Sequence, residues 1–165
     1  MVEGLARCVG CGKTTAASLS VRVCKKIGTW NVSSLYKPGK LTNLLSEMKT
    51  MGLEIMGVAE PFWDKDGSFP TQLPESEGGD KYRVFFSEGE KRRRGVGMIV
   101  TEEVAKSVMM CEPISDRIMV MRLKMTPINM LVVQIYAPCE NEDEKERFHE
   151  RLDQVIGEYR KGKSA

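Results

Sequence analysis

Residues 26 to 60 combine two short apolar runs with one helical stripe, and this pattern constrains the fold more than any other part of the sequence. The runs are "KIGTWN" at 26 to 31 and "LEIMGVAE" at 53 to 60. Between them, apolar residues recur at the spacing of one helix face, at Leu41, Leu44, Leu45, Met48 and Met51. Gly52 follows, as glycine often does where a helix ends. A strand, a helix and a strand over about 35 residues predict a βαβ unit with parallel strands.

The rest of the chain predicts further strands and a last helix. Residues 64 to 80 are polar and contain Gly, Ser and Pro, which predicts an irregular surface loop. Apolar runs begin at residues 82, 95, 116 and 128, and their short connections favour antiparallel pairing. A helical stripe follows, at Phe148, Leu152, Val155, Ile156 and Tyr159. These elements predict an α+β or mixed α/β domain built on one sheet.

Length and composition indicate one globular domain. The chain has 165 residues, of which 41% are apolar and 29% are charged, close to the averages of soluble proteins. Residues 1 to 23 are rich in Gly, Ser, Ala and Thr, and we interpret them as a poorly ordered leader. Residues 24 to 160 are then the folded domain, and 161 to 165 a short tail.

The leader contains two motifs that resemble ligand sites. "CVGCGKTT" at 8 to 15 ends like a P-loop, but Arg7 stands where the first glycine is required and no apolar strand precedes it. Cys8 and Cys11 have the spacing of a zinc knuckle, but no second pair of ligands lies at a matching distance, and His149 is the only histidine. Neither motif predicts a site.

Charge and cysteine content limit the classes of partner. The net charge of +2 is too small to indicate nucleic acid or membrane, and no apolar run approaches the roughly 20 residues of a membrane helix. Five cysteines without the spacing of a disulfide framework favour a reducing compartment. The densest basic run is Lys91, Arg92, Arg93 and Arg94. It is either a solvated loop or a phosphate contact.

Polar side chains end three of the predicted strands. Asn31 and Glu60 end the two parallel strands, whose carboxyl ends are a frequent ligand site, and a carboxylate beside an amide suits Mg²⁺. In the alternative interpretation, Asn31 caps a turn and Glu60 is solvated. Tyr136 ends the strand "LVVQIYA" and either binds a substrate phosphate or covers the sheet edge. The pattern leaves these alternatives open.

Five segments in order resemble the N-terminal part of the endonuclease/exonuclease/phosphatase superfamily. They are "IGTWNVSSLY", "LEIMGVAEPFW", "EKRRRGVGMIV", "PISDRIMVMRL" and "VVQIYAP", and they cover about residues 24 to 160. The nearest resemblance is to the apurinic-type endonuclease domain of RTE-clade non-LTR retrotransposons and to craniofacial development protein 2-like proteins derived from it. The resemblance implies a four-layer α/β/β/α sandwich.

The resemblance also implies a metal-dependent nuclease site. Asn31 would help to build the metal and phosphate site, Glu60 would bind the divalent cation, Mg²⁺ or Mn²⁺, and Tyr136 would contact the phosphate. Together they would be the catalytic residues of phosphodiester hydrolysis in DNA. Arg92, Arg93 and Arg94 would be the nucleic-acid-binding residues, and a DNA substrate implies a nuclear or cytoplasmic location.

The sequence departs from the family pattern in two ways. No "GDFN" and no "SDH" segment occurs, although the family takes its water-positioning Asp and phosphate-binding His from them. Pro61 and Phe62 stand before Trp63, where relatives usually have a polar or basic pair. We therefore expect a truncated sandwich that is inactive alone and exposes a broad apolar sheet, which favours self-association or a partner. The alternative function is a non-catalytic fragment that binds nucleic acid or protein.

Overall fold

The computed structural model describes residues 25–35, 37–63, 65–89, 94–139 and 141–161. The whole predicted leader, 1 to 23, with its P-loop-like motif and its Cys8 and Cys11 pair, lies outside these residues. Residues 162 to 165 of the predicted tail and Lys91, Arg92 and Arg93 also lie outside them. Two sheets are present in the described part, one of five strands and one of three. No helix in those ranges is both long and apolar enough to cross a membrane.

The first sheet begins with the predicted βαβ unit. Strand β1 is Ile27–Asn31, helix α1 is Lys40–Met51 and strand β2 is Ile55–Ala59. The two strands pair in parallel, which confirms the prediction. Helix α1 ends as predicted, because Gly52 adopts a left-handed conformation (φ +64°) and its N–H donates to the Lys49 carbonyl at 3.0 Å.

Three antiparallel strands complete the first sheet. Strand β3 is Gly67–Gln72, β4 is Lys81–Phe86 and β5 is Val96–Thr101, and the order across the sheet is β1-β2-β5-β4-β3. The prediction of an irregular loop at 64 to 80 is wrong, since β3 and a short 3₁₀ turn at Glu75–Glu77 lie there. Strand β3 is an edge strand with mostly exposed side chains, so polar residues and Pro70 do not prevent its pairing.

A second sheet follows, and the prediction of a single sheet is wrong. After the short helix α2, Glu102–Ala105, it consists of β6 at Val108–Ser115, β7 at Ile118–Leu123 and β8 at Met130–Ile135. All its pairs are antiparallel. The sequence did not predict β6, because Glu112 and Pro113 interrupt its apolar residues, and its ladder is correspondingly irregular at Pro113.

The layers pack in the order helix, sheet, sheet, helix, in agreement with the α/β fold class. Helix α1 covers the outer face of the first sheet through Leu45 and Met48. Between the sheets, Ile55 and Met98 of the first pack with Met121 of the second. The second sheet therefore covers the face that we expected to be exposed, because that expectation assumed one sheet.

Helix α3, at Glu142–Arg160, covers the outer face of the second sheet. Its Tyr159 hydroxyl donates to Glu112 Oε2 at 2.6 Å, and Arg122 Nη2 donates to the Tyr159 carbonyl at 2.9 Å. Burial, and then the hydrogen bond to Glu112, raise the pKa of Tyr159 to about 12. These contacts hold the end of α3 against β6 and β7.

Candidate active site

Glu60 directly follows β2, at the carboxyl end of the parallel pair, in a left-handed conformation (φ +59°) that is uncommon for a residue other than glycine. Two backbone hydrogen bonds hold it there. The Glu60 N–H donates to the Gly95 carbonyl at 3.0 Å, and the Glu60 carbonyl accepts from the Ser34 N–H at 2.7 Å. The backbone of Glu60 is therefore fixed between the segment after β1 and the start of β5.

Aromatic packing holds the segment after Glu60. The Trp63 ring lies 4.6 Å from the Phe86 ring and 5.8 Å from the Phe69 ring, measured between centroids. Phe62, one of the apolar pair that departs from the family pattern, also has a left-handed conformation (φ +63°). Trp63 therefore packs against β3 and β4 directly after the left-handed backbone at Phe62.

Tyr136 comes from the other sheet, directly after β8, and its hydroxyl reaches Glu60. The Tyr136 hydroxyl donates to Glu60 Oε1 at 2.5 Å. This hydrogen bond, followed by burial and the negative charge of Glu60, raises the pKa of Tyr136 above its usual value. Two of the three predicted site residues therefore meet where the sheets face each other.

Asn31 is the last residue of β1, and its pairing partner across the parallel ladder is Ala59, the residue before Glu60. Its side-chain oxygen accepts a hydrogen bond from the Ser33 N–H at 3.1 Å. This is the turn-capping role of the alternative interpretation. The same oxygen also accepts a longer hydrogen bond from Ser33 Oγ at 3.4 Å, so a further contact to Asn31 Oδ1 would have to replace this bond.

Arg117 is a component of the site that the sequence analysis did not predict. Its Nη1 donates to the Tyr136 carbonyl at 3.1 Å and its Nη2 to Glu144 Oε1 at 2.8 Å. The guanidinium carbon lies 5.1 Å from the centre of the Tyr136 ring. A signal was present in the sequence, since Arg117 precedes the apolar run of β7 by one residue. A charged residue next to a strand is usually solvated, however, and the apolar run of β7 gave no reason to select Arg117.

The described end of the basic run lies next to this site. Arg94 Nη1 is 3.8 Å from Asp116 Oδ2 and 3.9 Å from Glu144 Oε1, the oxygen that also accepts from Arg117. Arg94 is therefore partly neutralised by carboxylates. Of the three arginines predicted to bind nucleic acid, it is the one whose position the structure describes.

Polar groups also lie between the two sheets, further from their strand ends than Glu60 and Tyr136. Gln134, two residues before Tyr136, is 8% exposed, and its Oε1 accepts from Thr29 Oγ1 at 3.4 Å. Gly57 of β2 faces this amide, and a Cβ at residue 57 would lie 2.6 Å from the Gln134 side-chain carbonyl carbon. The glycine leaves the space that Gln134 occupies.

The donor atoms at the site suit a hard cation. Glu60 and Asn31 offer carboxylate and amide oxygens, and Mg²⁺ is commonly held by one or two carboxylates while it keeps several waters. No group of three or more His, Cys, Asp or Glu within the described ranges could hold a metal. His149 lies on α3 beside the Phe148 ring and does not join the Glu60–Tyr136 contact. The candidate donors are oxygens, which Mg²⁺ prefers, and not the Cys and His ligands typical of a structural zinc centre.

The chain is similar to craniofacial development protein 2. The protein from Bos taurus is 34% identical over 141 residues, which is 82% of this chain and 22% of the relative. The protein from Tragulus javanicus is 33% identical over 141 residues, with 82% and 23% covered. This similarity supports the relationship to craniofacial development protein 2-like proteins that the five segments indicate. The chain spans less than a quarter of the length of these curated relatives. No protein-family model matches it.

Proposed function

We propose that the chain carries the cation-binding part of a Mg²⁺-dependent DNA endonuclease domain of the endonuclease/exonuclease/phosphatase type, of retrotransposon origin. We further propose that it does not hydrolyse DNA by itself. The observation that carries the proposal is the contact between Glu60 and Tyr136, which joins the strand ends of two sheets at 2.5 Å. The similarity to craniofacial development protein 2 over 82% of the chain supports it, because proteins of that kind are among those to which the five segments show their nearest resemblance.

Each residue has a chemical role in this proposal. Glu60 holds the cation, Mg²⁺ or Mn²⁺, through a carboxylate oxygen, and Asn31 adds an amide oxygen. A bound cation supplies Lewis-acid polarisation of the phosphodiester. Tyr136 donates a hydrogen bond from its hydroxyl to a phosphate oxygen of the substrate. To do so, the hydroxyl must give up its present hydrogen bond to Glu60.

Hydrolysis needs more than these groups. In-line attack on a phosphodiester requires a positioned base for the water, and such a group typically contributes about 10² to 10⁴ in rate. Within the described residues, Glu60 has no cluster of further carboxylates, histidines or cysteines around it. We therefore expect cation binding without DNA cleavage.

Glu60→Gln is expected to weaken Mn²⁺ binding by at least about 10-fold, because it removes the charge of a direct ligand and loss of even an outer-shell partner typically costs about that much. Binding is measured by electron paramagnetic resonance of free Mn²⁺, and nicking of supercoiled plasmid is followed with Mg²⁺ in parallel. Glu103→Gln is the control, since Glu103 is exposed and pairs only with Lys106 in the described structure. Equal Mn²⁺ affinity in both variants would contradict the cation site. Nicking that is lost in Glu60→Gln would show that the chain is catalytic after all.

DNA is the partner we propose, with the basic run at 91 to 94 as its contact. Replacing Arg92 and Arg93 with alanine is expected to reduce the slope of log affinity against log salt concentration by about 2, as each phosphate contact contributes about 0.9. Arg94→Ala is expected to reduce it less, because Asp116 and Glu144 already lie near its guanidinium. Filter binding to duplex DNA across a salt series measures the slope. An unchanged slope in the double variant would show that the run does not contact DNA.

A further inference from the structure

We propose that Arg117 is a positioning residue that holds the Tyr136 ring in place for its contact with Glu60. The inference deepens the proposed function, since it concerns the same site. Arg117 contacts Tyr136 in three ways: Nη1 donates to its carbonyl at 3.1 Å, the guanidinium packs on its ring at 5.1 Å, and the Arg117 carbonyl accepts from its N–H at 2.9 Å. The Arg117 side chain is only 12% exposed.

Tyr136 needs such support because the β-ladder ends before it. The last pair between β7 and β8 joins Ile118 to Ile135. The hydrogen bond from the Tyr136 N–H to the Arg117 carbonyl continues the ladder by one step, but it fixes the backbone and not the direction of the ring. The ring lies between the apolar cluster of the facing sheets on one part of its surface, the guanidinium of Arg117, and the carboxylate of Glu60 at its hydroxyl. Arg117 is the charged group that contacts both this ring and the Tyr136 backbone.

Glu144 orients Arg117 in turn. Arg117 Nη2 donates to Glu144 Oε1 at 2.8 Å, and Glu144 lies in the first turn of α3. That turn is itself fixed, because Asn141 Oδ1 accepts from the Asp143 N–H at 2.9 Å as a helix cap. A guanidinium can donate to two acceptors from its planar fork while its face packs on a ring, and a lysine ammonium cannot. This combination of contacts therefore fits arginine better than lysine at residue 117.

A simpler role for Arg117 would be to tie α3 to β7 through Glu144. That role requires only the ion pair, and it leaves the direction of the Tyr136 ring unchanged when Arg117 is replaced. The two roles differ in one observable, the proximity of the Tyr136 ring to Glu60.

The test measures this proximity by solution NMR of the chain without metal, as the nuclear Overhauser effect between Tyr136 ring protons and Glu60 side-chain protons. Arg117→Met is expected to lose this signal, while amide signals away from the site keep their positions. Arg122→Met is the matched control. Arg122 has the same kinds of contact with a different tyrosine, donating to the Tyr159 carbonyl at 2.9 Å and packing 5.9 Å from its ring. It should leave the Tyr136 signal intact.

An unchanged signal in Arg117→Met would overturn the proposal. If that variant does not fold, Arg117→Lys decides the question: a weakened signal supports positioning by the planar group, and a full signal overturns it. The signal is read without metal, so it does not depend on the cation site. Loss of the signal in Arg117→Met would support the positioning role whether or not the cation binds. Absence of Mn²⁺ binding by the unsubstituted chain would contradict the proposed function alone.

Discussion

Ile55→Ala is expected to lower the free energy of unfolding by about 2 to 5 kcal/mol, a large part of the roughly 5 to 15 kcal/mol that stabilises a typical domain. Ile55 is 0% exposed, and its side chain lies in the apolar core between the two sheets. Removing its side chain deletes buried apolar contacts and leaves a cavity that packed strands from two sheets cannot easily close. Urea unfolding measured by circular dichroism gives the change.

Ile128→Ala is the control for this experiment. Ile128 is 80% exposed and lies between β7 and β8, so the same truncation is expected to change stability by no more than about 0.5 kcal/mol. A small loss for Ile55→Ala, similar to that of Ile128→Ala, would contradict the two-sheet packing. It would agree instead with the single sheet that the pattern of apolar runs predicts.

The contrast between the two sheets shows what sequence patterns can predict. In β1, α1 and β2, apolar spacing, a glycine stop and short connections all indicate the same structure, and the observed bounds agree with the prediction. The strands of the second sheet were mostly recognisable one by one, but their assignment to a separate sheet was not. Strand β6 breaks its apolar pattern at Glu112 and Pro113. Without β6, the runs of β7 and β8 indicate one antiparallel pair, which could equally extend the first sheet.

The candidate site shows the same limit at the level of side chains. We predicted Asn31, Glu60 and Tyr136 as site residues because each is a polar residue at the end of an apolar run. That Glu60 and Tyr136 meet depends on how one sheet packs on the other, which no local pattern specifies. Arg117 was missed for a related reason, since its contacts come from β8 and α3 and not from its neighbours in sequence.

Self-association stays a prediction, but the structure removes the reason for which it was made. It was expected from a broad apolar sheet face, and the second sheet now covers that face. The large apolar side chains that the structure shows as exposed lie on several different elements: Trp30, Met51, Met109, Ile128 and Ile135. Scattered residues of this kind are common on monomeric proteins and do not by themselves indicate an interface.

Gly57→Ala is expected to lower the free energy of unfolding by about 1 to 3 kcal/mol, although alanine is usually favourable in a strand relative to glycine. The new methyl group would overlap the Gln134 amide, with 2.6 Å to its carbonyl carbon and 3.3 Å to its Cγ. Gln134 cannot move away freely, because its Nε2 donates to the Ile135 carbonyl at 3.1 Å and its Oε1 accepts from Thr29. Displacing the Gln134 side chain is expected to move β2 and β8 apart, two to three residues before Glu60 and Tyr136.

Two companion variants test this cause. Gly157 lies in α3, and in the described structure no atom beyond its chain neighbours and its own helix backbone lies within 4 Å of an added methyl group. Gly157→Ala is therefore expected to increase stability by about 0.5 to 1 kcal/mol. Adding Gln134→Ala to Gly57→Ala removes the overlapping amide, so the double variant is expected to be more stable than the sum of the two single changes predicts. Thermal unfolding of the four variants supplies the comparison. A loss for Gly57→Ala that is the same with and without Gln134 would show that another contact requires glycine at residue 57. Recovery in the double variant would show that Gly57 is needed because the Gln134 amide reaches across from the other sheet.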